Sequence, residues 1–567
     1  MEAIKKWHEH YPKEIPTSIE YDEKPLYSYL EDSGLQFPEK KALSFMGKEL
    51  SYKEVLTQAK KLANYFQSLG LEKGEKVVIM LPNCPQAVIS YYGVLMAGGI
   101  VVQTNPLYTE RELEYQVKDS EATFIICLDI LLPKVTNVQN KTDIKHKIVT
   151  FIKDYLPFPK NLIYPFIQKR EYNLVVKVEQ SEDTHVWQNI MNAAAPKYEK
   201  VNIDPKKDLA LLQYTGGTTG HPKGVMLTHY NLVSNLQMSE AWLYKTKPGE
   251  EKVLAVLPFF HVYGMTTVMN FAVKQASQMI LMPKFNAKDV LKVIDKEKPT
   301  LFPGAPTIYI GLINHPDIDQ YDLSSIRACI SGSAPLPREV QDTFEKITGG
   351  KLVEGFGLTE TSPVTHANLI WGERVNGSIG IPWPNTDSKI VQIGSDEEAA
   401  IGEVGEVAVK GPQVMSGYWN NPEETENVLR DGWLFTGDMG YMDEEGYFYI
   451  VDRKKDMIIA SGFNIYPREV EEILYEHEAI QEAVIVGIPD PYRGETVKAF
   501  IVLKEGHQVT EEELNSFCRE NLAAYKVPRR YEFRDELPKT IIGKILRRQL
   551  VDEEAKLQEI ESESEPV

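Results

Sequence analysis

Cysteine is scarce. Cys84, Cys127, Cys329 and Cys518 are the only four in 567 residues, and they stand far apart, with no CxxC pair or Cys/His spacing that would suggest a metal site. That density excludes a disulfide framework and fits a reducing compartment. Long apolar runs are missing too. The longest mostly apolar stretch, Ala87 to Val102, falls short of the ~20 residues that span a bilayer, and Gly98-Gly99 breaks it. It reads as a buried helix followed by a buried strand. Met1 to Pro16 is charged and lacks an apolar centre, so it does not read as a secretory signal. Positive charge is in deficit: 62 Lys and Arg face 82 Asp and Glu, a net charge of -20. Such a field repels polyanions, which argues against nucleic acid as a partner, and anionic small ligands would need local basic groups to overcome it. Internal repeats and long low-complexity tracts are absent.

What is present is alternation. Hydrophobic residues make up 43% and charged residues 25%, ordinary proportions for a globular chain, and the length suggests three or four structural units at ~150 residues each. Ser51 to Leu69 carries apolar residues at helical spacing. Lys76 to Leu81, Thr123 to Cys127, Leu209 to Tyr214, Val253 to Leu257, Met279 to Met282 and Ala328 to Ser331 read as buried strands. Strands separated by helices predict α/β sheets with crossover connections. Asp452 to Asp456 (D-R-K-K-D) is a compact charged segment between apolar strands. Beyond it the pattern changes to a helix over Pro467–Tyr475, strands over Ala483–Gly487 and Val497–Leu503, and a helix over Thr510–Leu522. That is a small α+β unit. From Asp552 the chain is acidic and reads as a frayed helix or a tail.

The strongest local signal is Thr215 to Gly224, T-G-G-T-T-G-H-P-K-G, directly after an apolar strand. Gly216, Gly217 and Gly220 let the backbone turn tightly and bring its amides close to an anion. Thr215, Thr218 and Thr219 add hydroxyl donors, and Lys223 adds charge. This suits the phosphates of a nucleotide. It is not a Walker A loop, because Pro222 precedes the lysine and Gly224 follows it. A flexible Gly/Thr surface loop is the plainer alternative.

With that loop, six further motifs follow in order: L-P-F-F-H-V-Y-G (Leu257–Gly264), G-S-A-P-L (Gly332–Leu336), E-G-F-G-L-T-E (Glu354–Glu360), T-G-D (Thr436–Asp438), D-R-K-K-D (Asp452–Asp456) and P-K-T-I-I-G-K (Pro538–Lys544). The chain thereby resembles the adenylate-forming superfamily from about Leu26 to Leu550. Asp431 to Lys455 resembles the signature of the fatty acyl-CoA synthetases, the bacterial long-chain enzymes among them. The resemblance implies a large N-terminal domain of α/β sheets with a distorted β-barrel subdomain over residues 1–452. A hinge at 453–456, a small mobile α+β domain over 457–555 and an acidic tail over 556–567 complete it. It implies ATP-dependent ligation of a medium- or long-chain fatty acid to coenzyme A through an acyl-adenylate, with Mg2+, in the cytoplasm. An aryl- or short-chain acyl-CoA ligase on the same scaffold is the second reading. A homodimer and a peripheral contact at the inner face of the membrane are left open.

The chemistry sets what each residue must do. A carboxylate attacks the α-phosphate of ATP, and both are anionic, so the site must neutralise charge and align them. By resemblance Lys544 bridges the two anions, Thr359 contacts the α-phosphate, and Glu360 with Thr215 holds Mg2+. Few protein ligands are expected, because Mg2+ keeps waters and phosphate oxygens. Gly355 and Gly357 flank Phe356 for a close approach to adenine; Glu354 opens that motif, and Gly332, Ser333 and Ala334 form the other wall. Asp438 accepts from the ribose hydroxyls, which requires an acceptor, with Arg453 assisting; on its own residues Asp438 reads equally as a turn residue. Lys455 is the implied pivot of a domain rotation that withdraws Lys544 and admits the thiol past Ser461, Gly462 and Phe463. His261 reads from its neighbours as a core histidine, and the resemblance puts it at the gate between acyl pocket and thiol channel. Lys526, Arg529, Arg530, Arg547 and Arg548 are candidates for the coenzyme A phosphates, or a solvated face. Phe260, Tyr263, Gly264, Val268, Gly332 and Phe356 are candidate pocket residues. Finally, Phe151 to Arg170 mixes aromatic and aliphatic residues with Lys153, Lys160, Lys169 and Arg170 against one acid, Asp154. That composition suits either an interfacial membrane contact or a docked surface insertion, and three prolines argue against one long helix.

Overall fold

The computed structural model describes residues 5–172, 176–215, 222–460, 463–490, 493–539 and 545–564. Two sheets make the framework of the large N-terminal part. The first has eight strands in the order Gly417–Tyr418, Lys223–Thr228, Leu209–Thr215, Ile100–Gln103, Lys76–Met80, Phe124–Leu128, His146–Thr150 and Thr184–Val186. Its pairings from Leu209–Thr215 to Thr184–Val186 are parallel, and the first two are antiparallel. The second is built from Lys48–Ser51, Lys41–Phe45, Gln278–Leu281 and Lys252–Ala255, and bridges at Leu301 join it to Ala328–Ser331 and Lys351–Gly357.

The expected strands of the large part form within a residue or two of their predicted limits, because β-branched and aliphatic runs bounded by turn residues are buried on both faces of a largely parallel sheet, whereas those expected at Ala483–Gly487 and Val497–Leu503 extend to Ile480–Asp490 and Gly494–Leu503. Ala87 to Val102 resolves into the helix Pro85–Ala97 and the strand Ile100–Gln103, separated at Gly98, which takes a left-handed φ of 88°. All thirteen residues of that helix are buried. The helix Tyr52–Ser68 starts at Ser51, whose side chain accepts from the Glu54 amide while Glu54 returns a bond to the Ser51 amide.

The subdomain expected as a distorted barrel is built on an antiparallel sheet of Asp387–Val391, Gly405–Lys410, Trp433–Met442, Leu429–Arg430 and Phe448–Arg453. A bridge between Gly380 and Phe448 ties it to the neighbouring strands. The smaller C-terminal part has its own apolar core, around Ile458, Val470, Ile485, Ala499 and Leu514. Its long hairpin, Ile480–Asp490 with Gly494–Leu503, carries the helices Pro467–Tyr475 and Glu511–Asn521. Of the two readings of the acidic end, the helix is the one formed: Arg547–Ser564 runs across Asp552, with Leu550 and Glu554 buried and Glu554 paired to the buried Lys498 at 2.5 Å. No helix among the described residues is long and apolar enough to cross a membrane.

Candidate active site

A cleft of about 1480 Å³ opens between the large and small parts. Its floor collects the ends of strands from both sheets: Gln103, Thr215, Gly332 and Gly357 all line it. In open α/β sheets the carboxyl ends of parallel strands leave such a crevice, because the loops there diverge to different helices.

Thr215 ends the strand Leu209–Thr215 and faces Lys223 across an antiparallel pair. The Gly/Thr loop therefore closes a β-hairpin rather than opening a helix, a second difference from a Walker A loop. Gly216, Gly217, Thr218, Thr219 and Gly220 lie outside the described residues. Lys223 forms an ion pair with Glu424, and its ammonium stands 5.3 Å from the centre of the Tyr418 ring.

The strand Lys351–Gly357 delivers the next group. Gly357 has no substitute: a Cβ there would meet the Pro363 carbonyl oxygen at 1.9 Å, the same oxygen that accepts from the Leu358 amide. This tight return places Thr359 and Glu360 in a single 3-10 turn facing the cleft. Glu360 accepts at 2.8 Å from the Tyr418 hydroxyl. Burial and the Glu360 charge push the Tyr418 hydroxyl's pKa up, so it stays a proton donor. Phe356 is half-buried and lines the cleft, with its ring edge-on to His366. Opposite it, Gly332, Ser333 and Ala334 follow the strand Ala328–Ser331. The Tyr263 ring lies where a Cβ on Gly332 would touch it at 3.2 Å, and its hydroxyl donates to the Ile330 carbonyl at 2.6 Å.

Asp438 is not a turn residue. It sits inside the strand Trp433–Met442 opposite Arg453, and Arg453 Nε reaches Asp438 Oδ1 at 2.6 Å. The Asp438 charge, ahead of Glu360, holds the Arg453 pKa above its ordinary value. Lys454 pairs with Glu406 at 2.8 Å, and Lys455 lines the cleft at the turn that leads into the small part. His261 lines the cleft and caps the turn Val262–Gly264, its Nδ1 accepting from the Tyr263 amide at 3.3 Å. Gly264 and Val268, expected as pocket residues, are buried and do not line the cleft. Ser461, Gly462 and Lys544 lie outside the described residues, though Ile545 and Leu546 beside Lys544 line the cleft from the small part.

The basic candidates separate. Arg547 is enclosed by carboxylates: Glu471 at 2.6 Å, Asp452 at 3.3 Å and Asp456 at 3.5 Å. These pairs tie Arg547 to the hinge region, and it also lines the cleft. Lys526 pairs with Glu469, whereas Arg529, Arg530 and Arg548 are exposed.

Glu354 is buried under this network. It accepts from the Leu336 amide at 3.1 Å and has Arg468 of the small part 3.9 Å away. Burial raises its pKa from the ordinary 4.5 to about 7, with Arg468 only partly opposing. The folded protein therefore keeps this proton to higher pH than the unfolded chain. Its contribution to stability is intact below the ordinary carboxylate range and is lost as pH rises through about 7, by about 3 kcal/mol in all. Glu354→Gln, which cannot ionise, is expected to gain on the parent by that margin between about pH 5 and pH 8 in denaturant titrations. Parallel stability curves for the two proteins would contradict it.

Tyr418, Glu424, Glu406 and Arg468 were not singled out by sequence. Tyr418 sits in G-Y-W ahead of the helix Pro422–Val428, and only its antiparallel pairing with Val225 brings it beside Glu360.

These residues share one cleft. The chain belongs to the AMP-binding enzyme family: that family's model matches residues 30–419, and the AMP-binding enzyme C-terminal domain matches 469–544. Among relatives, it is 60% identical to the long-chain-fatty-acid–CoA ligase of Bacillus subtilis, over 98% of this chain and 99% of that one. It is 40% identical to the long-chain-fatty-acid–CoA ligase of Escherichia coli O6:H1, over 97% and 98%. Among solved structures, ATP-bound MatB from Rhodopseudomonas palustris superposes with a TM-score of 0.82 at 28% identity, covering 94% of this chain and 99% of that one.

Proposed function

We propose that the protein activates a medium- or long-chain fatty acid with ATP, releasing pyrophosphate, and passes the acyl group from the acyl-adenylate to the thiol of coenzyme A, releasing AMP. The observation that carries this is the shared cleft. One cavity is lined by Thr215 and Lys223, by Thr359 and Glu360, by the Asp438–Arg453 pair and by Ile545 from the small part. The 60% identity to a fatty acid–CoA ligase along the whole chain supports the choice of acid.

Chemistry assigns the roles. The Thr215–Lys223 hairpin holds the terminal phosphates, and Asp438 accepts from the ribose hydroxyls while Arg453 fixes its carboxylate. Adenine lies between Phe356 and the Gly332–Ala334 wall. Glu354 supports that wall through the Leu336 amide. Thr359 contacts the α-phosphate, and Lys544 bridges it to the attacking carboxylate. His261 positions the passage between acid and thiol, and Gly462 leaves room for the pantetheine arm. Glu360 and Thr215 line the same cleft, and one carboxylate with one hydroxyl fits Mg2+, a hard cation that keeps water and phosphate oxygens. When bound it would neutralise phosphate charge. Lys455 is the pivot between the two half-reactions, with residues 1–452 and 457–555 as the moving parts. Peripheral contact with a membrane belongs to this reading, and a homodimer is compatible with it.

The test is coenzyme A-dependent thioester formation across saturated acids of increasing length, with benzoate as contrast. Long-chain acids are expected to exceed benzoate by roughly two orders of magnitude in kcat/KM, since each buried methylene contributes about 0.8 kcal/mol until the pocket is filled. A preference for benzoate or acetate would turn the assignment to the aryl- or short-chain ligase.

A further inference from the structure

We propose that the segment Phe151–Tyr172 is a membrane-docking surface whose partner is a bilayer carrying anionic headgroups. The proposal deepens the peripheral contact named above and gives it a location. The segment is the crossover from the strand His146–Thr150 to the edge strand Thr184–Val186. Crossover helices of α/β sheets ordinarily turn their apolar side to the sheet and their polar side to water. Along the helix Lys160–Tyr172 most of the large apolar side chains instead face outward. Leu162, Ile163, Phe166 and Ile167 are 61%, 50%, 76% and 40% exposed, and Phe158 just before the helix is 80% exposed. Five of the sixteen exposed large apolar side chains among the described residues thus come from ten consecutive positions.

The inward side is mixed, with Tyr164 packed against the main core and a polar residue beside it. Gln168 is buried and donates at 2.7 Å to Asp129, itself buried. The root of the segment is anchored: Ile152, Tyr155 and Leu156 enter the main core, and Tyr155 accepts from the Trp187 indole at 3.1 Å. Lys160 donates to the Met46 carbonyl at 2.7 Å, and Met46 is also exposed beside it. The segment is therefore a docked insertion at its base that holds an apolar face outward, a cost that water does not repay.

Charge identifies the occupant. On a protein of net charge -20, this segment is locally basic: Lys153, Lys160, Lys169 and Arg170 stand against Asp154 and Glu171, and Lys160, Lys169 and Arg170 are exposed beside the apolar residues. Long basic side chains with their ammonium or guanidinium ends at headgroup level and aliphatic or aromatic residues below them are what an anionic interface selects. A substrate that partitions into bilayers gives such contact a purpose.

The experiment is co-sedimentation of the full chain with extruded vesicles, either equimolar phosphatidylglycerol and phosphatidylcholine or phosphatidylcholine alone. No turnover is required, so its failure is distinguishable from failure of the ligase reading. The parent is expected to bind the anionic vesicles, and phosphatidylcholine alone roughly tenfold more weakly. The double variant Leu162→Glu/Phe166→Glu, altered only at exposed positions, is expected to keep its Tm and its acyl-adenylate formation and to lose at least about tenfold in vesicle binding. Lys169→Glu/Arg170→Glu is expected to lose the preference for anionic lipid. Equal binding by the parent and the Glu double variant overturns the proposal. So does no binding by the parent, including the case in which the double variant instead dissociates a dimer seen by light scattering.

Discussion

Lys544→Ala is expected to lower acyl-adenylate formation by roughly 10²–10³-fold while leaving transfer from supplied acyl-adenylate to coenzyme A within about twofold. In the first half-reaction a carboxylate approaches a phosphate that is itself anionic, and the repulsion between them grows as they close. A single ammonium between the two neutralises both, and an ammonium tolerates the changing geometry of attack better than a planar guanidinium. The second half-reaction has different electrostatics: a thiolate attacks an acyl carbon and AMP departs, so no second anion has to be brought to the phosphorus. Among the described residues on either side of it in sequence, Lys539 and Ile545 form a bridge and the Leu546 amide donates to the Pro538 carbonyl at 2.8 Å. Ile545 and Leu546, the described residues that follow Lys544 in sequence, line the cleft. Acid-dependent exchange of pyrophosphate into ATP reads the first step, and thioester formation from synthetic acyl-adenylate reads the second. Full exchange activity in the variant would falsify the assignment, and equal loss in both steps would make Lys544 structural.

The second large effect concerns stability. Arg547→Met is expected to destabilise the small part by about 3–5 kcal/mol, because removing one partner of a buried ion cluster leaves the others uncompensated. Arg547 lies among Glu471, Asp452 and Asp456. Asp452 also accepts from the Arg468 amide at 2.8 Å and the Arg453 amide at 2.7 Å, and Glu471 accepts from the Ile485 amide at 2.8 Å. Burial already raises the pKa of Asp452 and of Glu471, and the Arg547 charge is the largest influence holding each down. Without it both carboxyls rise further. The folded variant then holds protons that the unfolded chain releases, so its deficit grows as pH rises and shrinks toward acid. Thermal unfolding of parent and variant across pH measures this. A deficit independent of pH would show that packing, not charge, is what Arg547 supplies. The cluster spans the hinge, so the same variant also tests whether Asp452 and Arg547 fix one orientation of the small part.

Much of the framework was legible in the sequence. Thr215 to Gly224, Glu354 to Glu360 and Asp452 to Asp456 each carry glycine or charge where an ordinary surface loop would not need them, and the apolar runs before them read as strands. What misled was single-residue context. Arg547 looks like any basic residue near a helix start, and nothing local shows that three acids up to 95 positions away converge on it. Asp438 in Thr436-Gly437-Asp438 looks like a turn, yet the register of its strand sets it opposite Arg453. The acidic stretch after Asp552 reads as a frayed helix or a tail; it is a helix, and nothing local shows that Glu554 neutralises the buried Lys498.

By itself the sequence determined the order of strands and helices and the Gly/Thr loop from Thr215 to Gly224. It did so because these follow from periodicity and backbone sterics within a few residues. The tertiary structure alone decided which charges meet. Tyr418 reaches Glu360, Glu424 takes Lys223, and Arg468 approaches Glu354, each across long separations set by sheet order. It alone also decided that the apolar side of Lys160–Tyr172 faces outward, since a helix's composition gives its faces but not which of them the sheet will cover.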